Sequence, residues 1–361
     1  MDPGSLSAWS LGTGAILALS LSLALSPLLA PLARRLGWMD EPSPRRIHGH
    51  AMPKLGGLAI FGAFFAGMGL VGLPWPGGAS LPLAALLLLA AGLVDDRVQL
   101  PAWAKLLAQV AASLWVVAAG VRIEFLTHPL GGMIALHGWS WPVTVFWLVL
   151  LANMINLVDG LDGLAAGVAS IATVPLLILA LQRGEVWSAA AAAVLLASLL
   201  GFLRYNFHPA GIFMGDAGAQ FVGWMLGIIT VEGALKGAAT LAISVPLMAL
   251  GLPLFDTCFA ILRRLRRGVP IYQADLGHIH HGLLAAGVEP RRAVGILYVV
   301  SGLLGLSSLW LATLKPWAGL VVLGGVGLLL ASVARRLGVL GGGPPPLRLE
   351  GPHHRGHGPA A

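Results

Sequence analysis

The chain has 361 residues, 57% of them hydrophobic and only 10% charged, against about 25% charged residues in an ordinary soluble domain. That excludes a soluble surface, and leaves one membrane bundle in which lipid replaces a second core layer. The formal charge of +7 would suit nucleic acid, but the placement of the basic residues gives it a topological meaning instead.

Apolar runs of roughly membrane-spanning length fall at 9–33, 54–73, 81–94, 102–121, 140–157, 163–182, 186–203, 218–233, 238–262, 293–313 and 317–334, an expectation of about eleven transmembrane helices in an all-α polytopic bundle. The first run has no basic stretch before it, and Arg34 and Arg35 follow it. It reads as a retained anchor with the N-terminus outside, rather than a cleaved signal peptide. With that orientation 18 of the 22 Lys and Arg residues lie on the cytoplasmic side, as the positive-inside bias requires, and the C-terminus is cytoplasmic. Residues 1–340 form the membrane domain. The tail 341–361, with its PPP and HHRGH stretches, reads as flexible. The single cysteine, Cys258, lies in an apolar stretch and reads as a small buried hydrophobe.

All aspartates except Asp2 map to cytoplasmic loops or span ends. A carboxylate beside hydrocarbon is costly unless paired, hydrated or bound to a cation, so a gathering of acids on one face points to a functional site. The first cytoplasmic loop offers Arg45, Arg46, His48, His50 and Lys54 ahead of Gly56 and Gly57. Its cations either hold a lipid phosphate or anchor the topology. The glycines admit either an anion or a neighbouring helix.

Asp95 and Asp96 are adjacent at the end of the third run. Two such carboxylates stay ionised together only beside a cation; otherwise one keeps a proton and can serve as an acid or base. N-capping by Asp96 is the plain alternative, disfavoured because Pro101 opens the next helix. At the end of the fifth run Asn153, Asn156 and Asp159 repeat at threes along one helical stripe, followed by Asp162. Their oxygens are of the kind Mg²⁺ takes, with water and substrate phosphate completing the octahedron; Asp162 could instead cap the next helix.

Asp216 sits between Gly215 and Gly218 and is the strongest single metal candidate. Phe213 and Met214 before it are expected to dip into the bilayer, and His208 to pack or cap. The last large cytoplasmic loop carries Arg263, Arg264, Arg266 and Arg267, then Asp275, His278, His280 and His281. Arginine forks suit phosphate, and the imidazoles suit a diphosphate better than zinc, because His280 and His281 are consecutive and expected to point apart. With no Walker loop, dinucleotide fingerprint, nucleophile elbow or HExxH in the chain, these loops add up to a Mg²⁺-diphosphate site.

The pair at 95–96, NMINLVDGLDGLAAG at 153–167, NFHPAGIFMGDAG at 206–218 and HIHH at 278–281 resemble the polyprenyl-phosphate N-acetylhexosamine-1-phosphate transferases. HAMPKLGG at 50–57 and HIHH are similar to the branch that uses UDP-N-acetylglucosamine rather than the muramoyl-pentapeptide branch. Leu276, Gly282 and Ala219 depart from the usual pattern. The resemblance implies a multispan bacterial inner-membrane enzyme, with its site on the cytoplasmic face, that moves N-acetylglucosamine-1-phosphate from a UDP-sugar to undecaprenyl phosphate and releases UMP. It also implies dependence on Mg²⁺, with Mn²⁺ as a substitute.

Carried over by position, Asp216 and Asn156 would hold the metal, and Asp95, Asp96, Asp159, Asp162 and His281 would be catalytic. Lys105, Asn153, Arg263, Arg264, His278, His280 and His48 would bind substrate. No nucleic acid is expected as a partner, and a homodimer is the assembly to test. An ion-coupled transporter is the rival from another class; it would need acids at mid-bilayer rather than at one edge.

Overall fold

The computed structural model describes residues 8–41, 51–128, 132–234, 244–266, 268–269, 278–311 and 316–336. His48, Asp275 and the tail 341–361 lie outside them. Helix α1 (Ala8–Leu36) leads into a two-residue antiparallel pair, β1 (Met39–Asp40) with β2 (Met52–Pro53), which closes the first loop. Helices α2 (Gly56–Val71), α3 (Ser80–Val98) and α4 (Ala102–Ala118) follow. A hairpin of β3 (Phe125–Thr127) and β4 (Met133–Ala135) comes next, as expected for the 122–139 stretch.

Helices α5 (Ser140–Val158), α6 (Leu164–Arg183), α7 (Val186–Asn206) and α8 (Gly215–Ile229) complete the main body, with a π-helical turn at Thr230–Ala234 extending α8. The run expected as one span at 238–262 is instead divided, into α9 (Ser244–Ala249) and α10 (Gly251–Arg266). Pro253, just past the break, lacks the amide that an unbroken helix would bond to the carbonyl of Ala249. The short α11 (Ile279–Ala285), α12 (Pro290–Leu311) and α13 (Pro316–Arg336) close the described chain.

Among the described residues five helical stretches are long and apolar enough to cross a membrane: Trp9–Leu36, His137–Val158, Leu164–Arg183, Val186–Asn206 and Pro290–Leu311. Large apolar side chains on the outside, such as Trp9, Phe146, Leu306 and Leu328, would be untenable in water and suit lipid. The protein is an integral membrane protein built from helices.

Two cores hold it together. The larger joins α1 to α8 around Phe64, Phe202, Phe221 and Trp224. The smaller joins the end of α5 and the start of α6 to α9–α13. In the larger core α3 and α5 both pack on α8, and α4 packs on α3 and α5. The C-terminal ends of α3 and α5 therefore meet the N-terminal ends of α4 and α8, which brings the acidic segments to one end of the bundle.

The crossing of α2 with α8 is glycine-dependent. A Cβ on Gly57 would strike the backbone of Gly218, so the approach is open only to glycine. Of the two uses open to the 56–57 glycines, the structure has the neighbouring helix. It also corrects the expectation that Met214 enters the bilayer. Met214 is buried in the core, and the carbonyls of Phe213 and Met214 accept the N–H groups of Gly56 and Gly57 at 3.0 and 2.9 Å. These are orphan donors of the first turn of α2, and capping by a distant loop satisfies them.

Candidate active site

The sequence stretch DDRVQLPAWAK bends at Gln99–Pro101, where Gln99 adopts a left-handed backbone (φ 54°) and Pro101 starts α4. Asp95 accepts the N–H of Leu100 at 2.8 Å, which tightens this turn. The turn also folds Lys105 back onto Asp95, with Nζ 2.5 Å from the carboxylate. The same ammonium lies 2.9 Å from Asp216 Oδ2, and Asn156 donates to Asp216 Oδ1 at 3.0 Å. Asp95, Lys105, Asn156 and Asp216, from four different helices, thus form one cluster.

Asp96 faces the other way. Its two oxygens accept the N–H groups of Asp216 (2.9 Å) and Ala217 (3.1 Å), the orphan donors that open α8. It does act as a cap, but of a helix distant in sequence rather than of the next one. Gly215 has φ +73°, a backbone state suited to glycine, and a Cβ at this position would strike the Asp96 carboxylate.

Lys54 lies 2.7 Å from Asp40 and 3.6 Å from Asp96, tying the first loop to the site. Sequence reasoning did not give Asp40 a role, and the signal was weak: only the β1–β2 pairing brings it beside Lys54.

The site's charges follow from this packing. Burial, then the hydrogen bond with Asp216, pushes the Asp95 carboxyl up to about 7. Burial opposes ionisation of Asp216 too, but hydrogen bonds from Asp95, Lys105 and Asn156 outweigh it and hold that carboxyl below its ordinary range. Burial, then the Asp216 charge, raises Asp96 to about 6, and the same two causes raise Asp159 to about 7.

Asp162 does not cap α6. It accepts from His208 Nδ1 (2.9 Å) and from the N–H of Ala210 (3.1 Å), fastening the 206–214 loop to the 159–163 turn. His208 is therefore not packed as expected: its side chain is 42% exposed and holds Asp162 at the surface. Tyr298 donates to the Gly163 carbonyl at 2.6 Å and ties α12 to the same turn.

Asp256 on α10 binds His278 Nδ1 at 2.9 Å and accepts the N–H of Ile279 at 2.8 Å, which fixes the start of α11. His280 packs against Gly160, next to Asp159. Its Nε2 is buried with no hydrogen-bond partner, and burial together with His281 and His278 lowers it to about 3. The expectation that His280 and His281 point apart is corrected: their ring centres are 4.2 Å apart, and His278 stacks on His280 at 5.7 Å. Arg263 and Arg264 are buried on α10, whereas Cys258 on the same helix is exposed, which corrects the expectation of a buried cysteine.

Asn153, half-buried, donates its amide to Gln109 Oε1 (2.6 Å) and to the Val149 carbonyl (2.8 Å). Gln109 and Gln220 were missed, although each stands four residues after a site residue, Lys105 and Asp216, on the same helical face.

Residues 79–234 match the profile of glycosyl transferase family 4. A Bacillus subtilis (strain 168) protein named "Probable undecaprenyl-phosphate N-acetylglucosaminyl 1-phosphate transferase" is 36% identical over 310 residues, covering 85% of this chain and 87% of the relative. A Mycobacterium tuberculosis (strain CDC 1551 / Oshkosh) decaprenyl-phosphate N-acetylglucosaminephosphotransferase is 31% identical over 341 residues, 84% of each chain. The undecaprenyl-phosphate alpha-N-acetylglucosaminyl 1-phosphate transferase of Escherichia coli (strain K12) is 25% identical over 280 residues, 76% of each. The chain belongs to glycosyl transferase family 4. It is a membrane-embedded transferase.

Proposed function

We propose that the protein transfers N-acetylglucosamine-1-phosphate from UDP-N-acetylglucosamine to a polyprenyl phosphate, undecaprenyl phosphate in the first instance, and releases UMP. The observation that carries this is the lysine held between two carboxylates, Asp95 and Asp216, with Asn156 on the second of them. Phosphoryl transfer is largely a matter of placing groups and balancing charge, and this cluster can do both. The named activities of the relatives supply the sugar and the lipid.

The donor set suits a substrate-borne Mg²⁺, with Mn²⁺ as a substitute. The Asp216 side chain is 31% exposed and has an amide beside it, and Mg²⁺ takes one or two such ligands with phosphate and water supplying the rest. Among the described residues no group of three or more His, Cys, Asp and Glu side chains could cage an ion. When bound, Mg²⁺ would neutralise diphosphate charge.

Asp95 orients the lipid phosphate or accepts its proton, and Lys105 balances the anions that gather there. Asp159 and Asp162 place the nucleotide. His278, His280, His281, Arg263 and Arg264 line the diphosphate side. Asp96 acts by fixing Asp216. The 18-to-4 division of basic residues supports eleven spans with the N-terminus outside and this site at the cytoplasmic face of the bacterial inner membrane.

The test is UMP release by the purified protein, with and without undecaprenyl phosphate and Mg²⁺, across a panel of UDP-sugars. Release from UDP-N-acetylglucosamine that requires lipid supports the reading. Release only from the muramoyl-pentapeptide donor redirects it to that branch, and no lipid-dependent release from any donor returns the case to transport.

A further inference from the structure

Lys105, Asn156 and Asp216 form a layer to which α4, α5 and α8 each give one residue. One turn deeper the same helices give a second such layer: Gln109 is Lys105 plus four, Asn153 is Asn156 minus three on a helix running the other way, and Gln220 is Asp216 plus four. Gln109 and Gln220 are 1% and 2% exposed. Asn153 donates to Gln109 Oε1 at 2.6 Å, and Gln109 Nε2 donates to Gln220 Oε1 at 3.1 Å and reaches Asn153 Oδ1 at 3.4 Å. A turn deeper again, Ser113 accepts from Trp224 Nε1 at 3.1 Å.

Three apolar side chains would fill this space without the cost of burying amides. Amides differ in being directional. They satisfy one another only at one relative height and rotation of the helices that carry them, as a buried polar residue fixes register in a coiled coil. The Asn153 amide is further held by the Val149 carbonyl, so α5 supplies the fixed point.

We infer that Gln109, Asn153 and Gln220 are positioning residues that set the distance and height at which α4 offers Lys105 to Asn156 and Asp216. This rests on the reading of those three residues as the reacting site. The layer's effect passes through Lys105, because Gln109 lies directly beneath it on the same face of α4.

The experiment compares wild type with Gln109→Met, which keeps length and removes the hydrogen bonds, in both the native and the Lys105→Ala background. Expected are a fall in kcat of about 10- to 100-fold with the KM for UDP-sugar within about 3-fold, and a smaller Mg²⁺-induced rise in unfolding temperature. In the Lys105→Ala background the same change should cost under about 2-fold, as coupled groups do.

Equal losses in both backgrounds, or an unchanged kcat in Gln109→Met, overturn the inference. If Gln109→Met does not fold, Gln220→Met, which removes a single acceptor, takes its place under the same criteria. Ser113→Ala breaks only the deeper contact and should lower the unfolding temperature while leaving kcat intact; a kcat loss as large as that of Gln109→Met would show the layer to be merely structural. Absence of UMP release by wild type sinks the functional reading, and the Mg²⁺ shift then decides the positioning role alone.

Discussion

Asp96 caps the helix that carries Asp216, with its two carboxylate oxygens 2.9 and 3.1 Å from the first amide nitrogens of that helix. The adjacent Asp95 serves the turn and the lysine instead. Two neighbouring acids in sequence therefore have different structural tasks. Asp96→Ala leaves two donors at the start of α8 without their acceptor and should cost about 1–3 kcal/mol of stability. Asp96→Asn retains one acceptor and should cost less. Thermal unfolding in detergent ranks the two, and equal midpoints for Asp96→Ala and wild type would contradict the capping role.

Asp216→Asn should reduce turnover to about 1% or less while the unfolding midpoint stays close to wild type. The isosteric amide keeps the cap donors and the packing but loses the charge that Lys105 and Asn156 gather around. Near-normal rates at saturating Mg²⁺ would remove Asp216 from the metal role.

His280 makes stability depend on pH. Its folded value of about 3 lies below its ordinary 6.5, so the unfolded chain takes up a proton in that window that the folded chain refuses. This contribution is complete above pH 6.5 and is lost as pH falls towards 3. The raised carboxyls of Asp95, Asp96 and Asp159 act in the opposite sense, so the difference between variants is the informative quantity. The loss of unfolding temperature from pH 7 to pH 5 should be smaller in His280→Gln than in wild type. Identical slopes would refute the assignment.

Gly57→Ala should be poorly tolerated. The added carbon meets the backbone of Gly218, which cannot swing aside as a flexible side chain would, and overpacking of this kind costs about 1–3 kcal/mol. Gly62→Ala, on the same helix with open space save for Leu25, is the matched control. Yield and unfolding midpoint in detergent should fall for the first variant and not for the second.

How much of this was legible beforehand varies with the physics involved. Helix positions were legible because apolar runs are a property of composition: α1, α5, α6 and α7 fall within a few residues of the expected bounds. The gathering of Asp95, Asn156 and Asp216 was legible from their common sidedness, whereas Lys105 entered the site only through the family resemblance. The capping of α8 by Asp96 was not, because a cap supplied from 120 residues away has no local pattern. The gathered rings of His278, His280 and His281 were misread because their orientation depends on Asp256 anchoring the first of them. Gln109 and Gln220 carried a readable i+4 spacing, but uncharged amides among apolar residues drew no attention beside the acids.

The loop before α8 closes the open end of α2, while a side chain from α3 closes the open end of α8. These reciprocal closures give synthesis a natural order. A nascent chain that has passed α2 and α3 but has not reached residue 217 holds unsatisfied amides at the start of α2 and, beside Lys54, an acid that lacks its two amide donors. Only the arrival of α8 resolves both at once, so a truncated product ending before it should be recognised as unfinished and degraded rather than persisting as an idle fragment.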